Sequence, residues 1–127
     1  MDKDELKALI GFQQGELDAV ILYQALAKRM KDEETKQILL SIAADEGKHA
    51  AILRQYTETK LEPKPTLKNV SLLAHRIVGK KTLFKIMAKF EYNAANNYAP
   101  YFEKYPRIRD EITPDETKHG NLLMSLI

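Results

Sequence analysis

The chain has 127 residues, a formal net charge of +2, and 44% hydrophobic and 30% charged residues. That length supports one domain, residues 1–127, with one core, and the charge is too small to point to nucleic acid. With no cysteine, disulfides, thiol nucleophiles, zinc ribbons and iron–sulfur clusters are excluded, so any metal must be held by oxygen and nitrogen.

From about Asp4 to Met30 the residues Leu6, Leu9, Ile10, Phe12, Leu17, Val20, Ile21, Leu26 and Ala27 recur at helical spacing, with Asp2 or Asp4 placed to cap the start. Lys31-Asp32 reads as a short turn. A second helix is expected from about Glu33 to Lys60, carried by Ile38, Leu39, Ile42, Ala43, Ile52, Leu53 and Tyr56. Glu33 and Glu34 fall in its first turn, where the helix dipole favours acids. So short a connection makes the two helices an antiparallel pair.

Two prolines in Leu61-Glu62-Pro63-Lys64-Pro65 end that helix. A shorter one, Thr66 to about Val78, follows with Leu67, Val70, Leu73, Ala74 and Ile77 as its apolar side, and Gly79 as its stop. The stretch from Leu61 to Gly79 reads as a long crossover that carries the chain to the far end of the bundle. The third long helix starts near Lys80 and shows Leu83, Ile86, Met87, Phe90, Ala94 and Tyr98. Lys80, Lys81, Lys85 and Lys89 read as a solvated face. Pro100 ends or kinks this helix. In the last segment Thr113-Pro114-Asp115-Glu116 reads as an N-cap, a first-turn proline and a capping-box glutamate. Helix four is therefore expected to begin at Thr113, after an irregular stretch from Pro100 to Ile112, rather than to run from Pro106 with a kink at Pro114. No apolar run approaches the roughly 20 residues of a membrane span. Nor does Met1-Asp2-Lys3-Asp4-Glu5 look like a secretion signal, so a cytoplasmic protein is expected.

Two of the three histidines stand three residues after a glutamate, in Glu46-Gly47-Lys48-His49 and Glu116-Thr117-Lys118-His119. Residues three apart share a helix face, so each motif aims a carboxylate and an imidazole at one point. Two such motifs, with one glutamate from each of two further helices, are the ligand set of a dinuclear iron or manganese site in a helical bundle. Glu16 and Glu91 are the candidates for those extra carboxylates. Glu16 lies 14 residues before Met30 and Glu46 lies 13 after Glu33. At about 1.5 Å per residue both stand roughly 20 Å from the turn, level with each other. Glu91 lies inside the apolar run of the third helix.

Each residue also has a plainer reading. Glu116 serves equally as a capping glutamate, Glu16 as a surface residue, Glu46 as a partner for a surface lysine, Glu91 as a partner for a core tyrosine, and each histidine as a satisfied core residue. His75 has no carboxylate at helical spacing and reads as structural. What favours a metal is charge: four carboxylates buried together repel one another in a low dielectric, and two divalent cations supply +4 to cancel them. The set supports two ions roughly 3.5–4 Å apart, with Glu46 and Glu116 bridging, Glu16 and Glu91 terminal, and His49 and His119 on one ion each.

At these six residues the chain resembles the ferritin-like di-iron carboxylate superfamily, and its size resembles the rubrerythrin-like branch, over essentially the whole chain. The resemblance implies an all-α, ferritin-like four-helix bundle with one long crossover connection containing a short extra helix. It implies two iron ions, with manganese as an alternative at either position. The implied activity is reduction of peroxide or oxygen with external electrons, from a donor such as a rubredoxin-like protein. The alternative is a ferroxidase or iron-binding module for iron storage or transport. Rubrerythrins carry a further carboxylate on the third helix where this chain has Ala94 and Ala95. The ligand movement of that branch is therefore not implied here, and the alanines leave room for an oxidant or small substrate. Tyr23 and Tyr98 are each seven residues from a ligand glutamate, as second-layer neighbours or as core. The short last helix suggests a homodimer that completes its core across an interface.

Overall fold

The computed structural model describes residues 1–127, all helical with no strand. The elements are α1 (Lys3–Arg29), α2 (Glu33–Thr57), α3 (Thr66–Tyr98) and α4 (Thr113–Ser125). A 3-10 turn (Ala99–Tyr101) and a π-helical turn (Ile108–Ile112) lie between α3 and α4. The chain divides into two compact units, Met1–Leu72 and Leu73–Ile127.

The first unit is built on α1 and α2. Asp2 caps α1 by accepting the Glu5 amide at 2.8 Å, and Asp32 caps α2 by accepting the Thr35 amide at 2.9 Å and its hydroxyl at 2.6 Å. Acidic first turns and basic last turns in both helices complement the helix dipole. Leu9, Leu22 and Leu26 of α1 and Leu39, Ile42 and Leu53 of α2 form the core. Helix α2 stops three residues short of the expected Lys60. Glu58 takes the left-handed conformation (φ 53°) and its amide closes the last turn on the Arg54 carbonyl at 2.8 Å.

The segment after α2 is stitched back onto α1. The amide nitrogen of Gln13 donates to the Thr59 carbonyl at 2.8 Å, while its oxygen accepts the Thr57 hydroxyl at 2.6 Å. Gln14 donates to the Glu62 carbonyl at 2.9 Å, and Asp18 accepts the Lys64 amide at 2.7 Å. Gln13 is fully buried one turn before Glu16, so these bonds fix α1 against the end of α2 close to the candidate ligands.

Helix α3 is interrupted where the sequence places a stop. Gly79 adopts φ 83° and ψ 172°, a region open essentially to glycine alone, dividing the helix into 66–78 and 80–98. The apolar side expected for 66–78 is not covered by its own chain: Val70, Leu73 and Ile77 are exposed, and Ser71 is the buried residue there. Along 80–98 the buried face is Leu83, Phe84, Met87, Ala88 and Glu91, whereas Ile86 and Phe90, expected inside, face water. Periodicity gives a helix its apolar arc, but not which part of a wide arc is covered.

In the second unit, helical structure resumes at Pro106 and runs through the π turn into α4. Helix α4 starts at Thr113 as expected, but it continues the helical turns before it instead of following an irregular stretch. The amide and hydroxyl of Thr113 both turn back to the Ile108 carbonyl, the hydroxyl at 3.2 Å, and no side chain caps α4. The physical reason is Pro114, which has no amide for the preceding turn. The wider π turn absorbs that mismatch. Tyr98, Tyr105, Ile108, Ile112 and Leu123 are buried in this unit.

Gln13→Ala should lower stability by about 1–3 kcal/mol, since it strips two partners from buried polar groups. Urea unfolding checks this, and a midpoint equal to the parent's would contradict the clamp.

Candidate metal-binding triads

Each compact unit gathers three of the six sequence-selected residues. In the first, Glu16 comes from α1, and Glu46 and His49 from successive turns of α2. Phe12 and Val20 flank Glu16 at one turn's distance, while Ile42 and Leu53 lie on the arc of Glu46 and His49, so packing of the α1–α2 core turns all three inward. They are 5%, 3% and 1% exposed. Nδ1 of His49 stands 3.4 Å from Oε2 of Glu16 and 3.4 Å from Oε1 of Glu46. The expected level alignment of Glu16 with Glu46 is thus present.

In the second unit Glu91 comes from α3, and Glu116 and His119 from α4, with exposures of 6%, 2% and 0%. Nδ1 of His119 stands 3.6 Å from Oε2 of Glu91. Glu116 is buried and stands in one cluster with Glu91 and His119. Within each triad one donor atom per residue lies within 4.8 Å of the others.

These separations are those of loose contacts rather than closed hydrogen bonds. A charge-assisted N–H···O bond closes to about 2.7–2.9 Å. Two donors bound to one divalent ion at about 2.0–2.2 Å stand about 3.0 Å apart at a right angle and about 3.5 Å apart at a tetrahedral angle. The observed 3.4 and 3.6 Å contacts have the second spacing. In both triads the nitrogen that faces the carboxylates is Nδ1, a detail sequence spacing leaves open. Hard carboxylate oxygen with borderline imidazole suits iron, manganese or zinc. The donor set therefore fits a metal ion in each unit.

A sequence model of the Rubrerythrin family matches residues 13–127. The chain belongs to the Rubrerythrin family. With that membership comes the ferritin-like, all-helical fold class expected from the sequence. No curated protein and no solved structure matches the chain. The family match begins at Gln13, the residue that clamps α1 to α2, and covers both triads.

Tyr23 and Tyr98 are both buried, and Ala94 and Ala95 are half-buried, as is His75. Two neighbours of the second triad escaped the sequence reading. Tyr92 follows Glu91, Gly120 follows His119, and the two residues touch. A glycine in a helix interior costs about 1 kcal/mol relative to alanine and signals a packing reason. That signal was available at Gly120.

If the triads bind metal, a divalent ion at a hundred times its Kd should stabilise the metal-free protein by about 2.7 kcal/mol through mass action. Scanning calorimetry should show Tm rising in the parent and a much smaller rise in His49→Ala and Glu46→Ala. An ion-independent parent Tm would contradict the assignment.

Proposed function

We propose that this chain is a di-iron oxidoreductase that reduces peroxide or oxygen with electrons delivered from outside. The observation that carries this reading is the pair of buried Glu/Glu/His triads, one in each compact unit, in a member of the Rubrerythrin family. Glu16, Glu46 and His49 would hold one iron ion, and Glu91, Glu116 and His119 a second. Bound iron supplies the chemistry by cycling between ferrous and ferric states, which provides the two electrons that a peroxide bond requires.

The chain's own residues set the conditions. Four carboxylates balance the +4 of two ferrous ions. Burial of all six ligands keeps bulk water from competing for the ions, and the small side chains of Ala94 and Ala95 leave space for a small oxidant. The electrons would come from an external donor, such as a rubredoxin-like protein.

The second reading, a ferroxidase or iron-handling module, is favoured by one observation: alanine stands where rubrerythrins carry a further carboxylate. Peroxide consumption by the iron-loaded protein with excess chemical reductant separates the two. Many peroxides consumed per pair of irons supports the oxidoreductase. One round of oxidation followed by iron release supports iron handling and contradicts the first reading.

The exposed apolar row Val70, Leu73 and Ile77, 60%, 57% and 72% exposed, supports a homodimer, because a second copy would cover it. Light scattering should give a dimer for the parent and a monomer for Val70→Asp, Ile77→Asp. A monomeric parent would contradict this part of the reading.

A further inference from the structure

Glycine is the costliest ordinary residue in a helix interior, yet Gly120 sits in the middle of α4, directly after His119. Its neighbour supplies the reason. A Cβ added at Gly120 would run into Cε1 of Tyr92 and would lie 2.6 Å from Cζ and 2.7 Å from Cδ1 of the same ring. Carbon atoms in ordinary contact are about 3.5–4.0 Å apart. The tyrosine ring therefore occupies the space that any other side chain at 120 would need. The phenol hydroxyl extends one residue further and donates to Oδ1 of Asn121 at 2.6 Å.

Tyr92 thus grips the two positions that follow one candidate ligand, and is itself the residue after another. Glu91 and His119 are buried on one side of this contact, while Tyr92 and Asn121 reach solvent on the other. Successive residues of a helix are turned by about 100°. A contact that holds both 120 and 121 fixes how far α4 is rotated and how far it is shifted along its axis. Those two quantities set the 3.6 Å separation of His119 Nδ1 from Glu91 Oε2.

We propose that Tyr92 is a positioning residue for the Glu91–His119 pair, with Gly120 as the gap its ring requires and Asn121 as the anchor of its hydroxyl. The proposal rests on the reading that Glu91 and His119 hold metal. Relieving the clash at 120 would push the Tyr92 ring and the helix that carries Glu91 apart from α4 by about 1 Å in total, judged by ordinary carbon contacts. Metal–ligand distances tolerate only about 0.2 Å. The same substitution in the other unit provides the comparison. Gly47 lies between Glu46 and His49, and a Cβ there meets only Val20 Cγ2 at 3.9 Å, an ordinary contact.

The test is a titration of the metal-free full chain with Co²⁺, followed by its visible absorption bands, which report ligand geometry, beside far-ultraviolet circular dichroism of the metal-free proteins. Gly120→Ala should bind Co²⁺ about 10–100-fold more weakly, the usual effect of disturbing a residue that orients a ligand, with shifted bands. Tyr92→Phe, which keeps the ring and loses only the hydroxyl, should shift the bands with a smaller loss of affinity. Gly47→Ala should match the parent. Adding Gly120→Ala to Tyr92→Ala should cost nothing more, because the clash is already gone, and that coupling separates ring contact from general damage.

Parent-like affinity and bands in a folded Gly120→Ala would overturn the proposal. If that variant does not fold, Tyr92→Phe and Asn121→Ala decide: altered bands in folded protein support it, and unchanged bands overturn it. A parent that shows no Co²⁺ bands would overturn the metal reading and this proposal with it. A parent that binds while every variant matches it removes only the positioning role.

Discussion

Burying carboxylates without a counter-charge is the constraint around which this chain is arranged. Each compact unit removes two carboxylates and an imidazole from water, and the imidazole–carboxylate contacts of each triad are longer than a charge-assisted hydrogen bond. Removing an ionised group from water costs several kcal/mol after relaxation, and like charges nearby add to it. A cation at the focus of a triad would offset that cost with no further side chain. The same donors that make the clusters expensive when empty make them selective for a hard or borderline metal.

The rest of the fold keeps these groups in register. Asp2 and Asp32 define where α1 and α2 begin, and Gln13, Gln14 and Asp18 hold the segment after α2 against α1. That fastening lies one turn from Glu16, so it bears directly on where the carboxylate stands. In the second unit the chain meets Pro114 just before two ligands. It accommodates the missing amide with a π turn at Ile108–Ile112, so Glu116 and His119 follow on an uninterrupted α4. The Tyr92–Gly120 contact plays for the second unit the part that the Gln13 clamp plays for the first.

Much of this was legible in the residues. Glu-x-x-His spacing is a local property of a helix, and counting from a tight turn needs only the helical rise, so Glu16, Glu46 and His49 could be placed together from the sequence. Gly79 and the prolines at 63 and 65 marked real breaks. Less was legible wherever a partner surface decides. Val70, Leu73 and Ile77 have the spacing of a core face, yet their own chain leaves them exposed, as it does Ile86 and Phe90. Thr113 and Pro114 have the composition of a helix start, but the carbonyl of Ile108 competes for both the amide and the hydroxyl of Thr113. The Tyr92–Gly120 contact joins residues far apart in the chain, and only the unexplained glycine hints at it.

The central claim is that the six buried ligands hold two irons. Elemental analysis of protein purified without chelators, beside the Glu46→Ala, Glu116→Ala variant, tests it most directly. About two irons per chain in the parent and few in the variant is the predicted result. No metal in the parent, even after anaerobic reconstitution with ferrous iron, would contradict it.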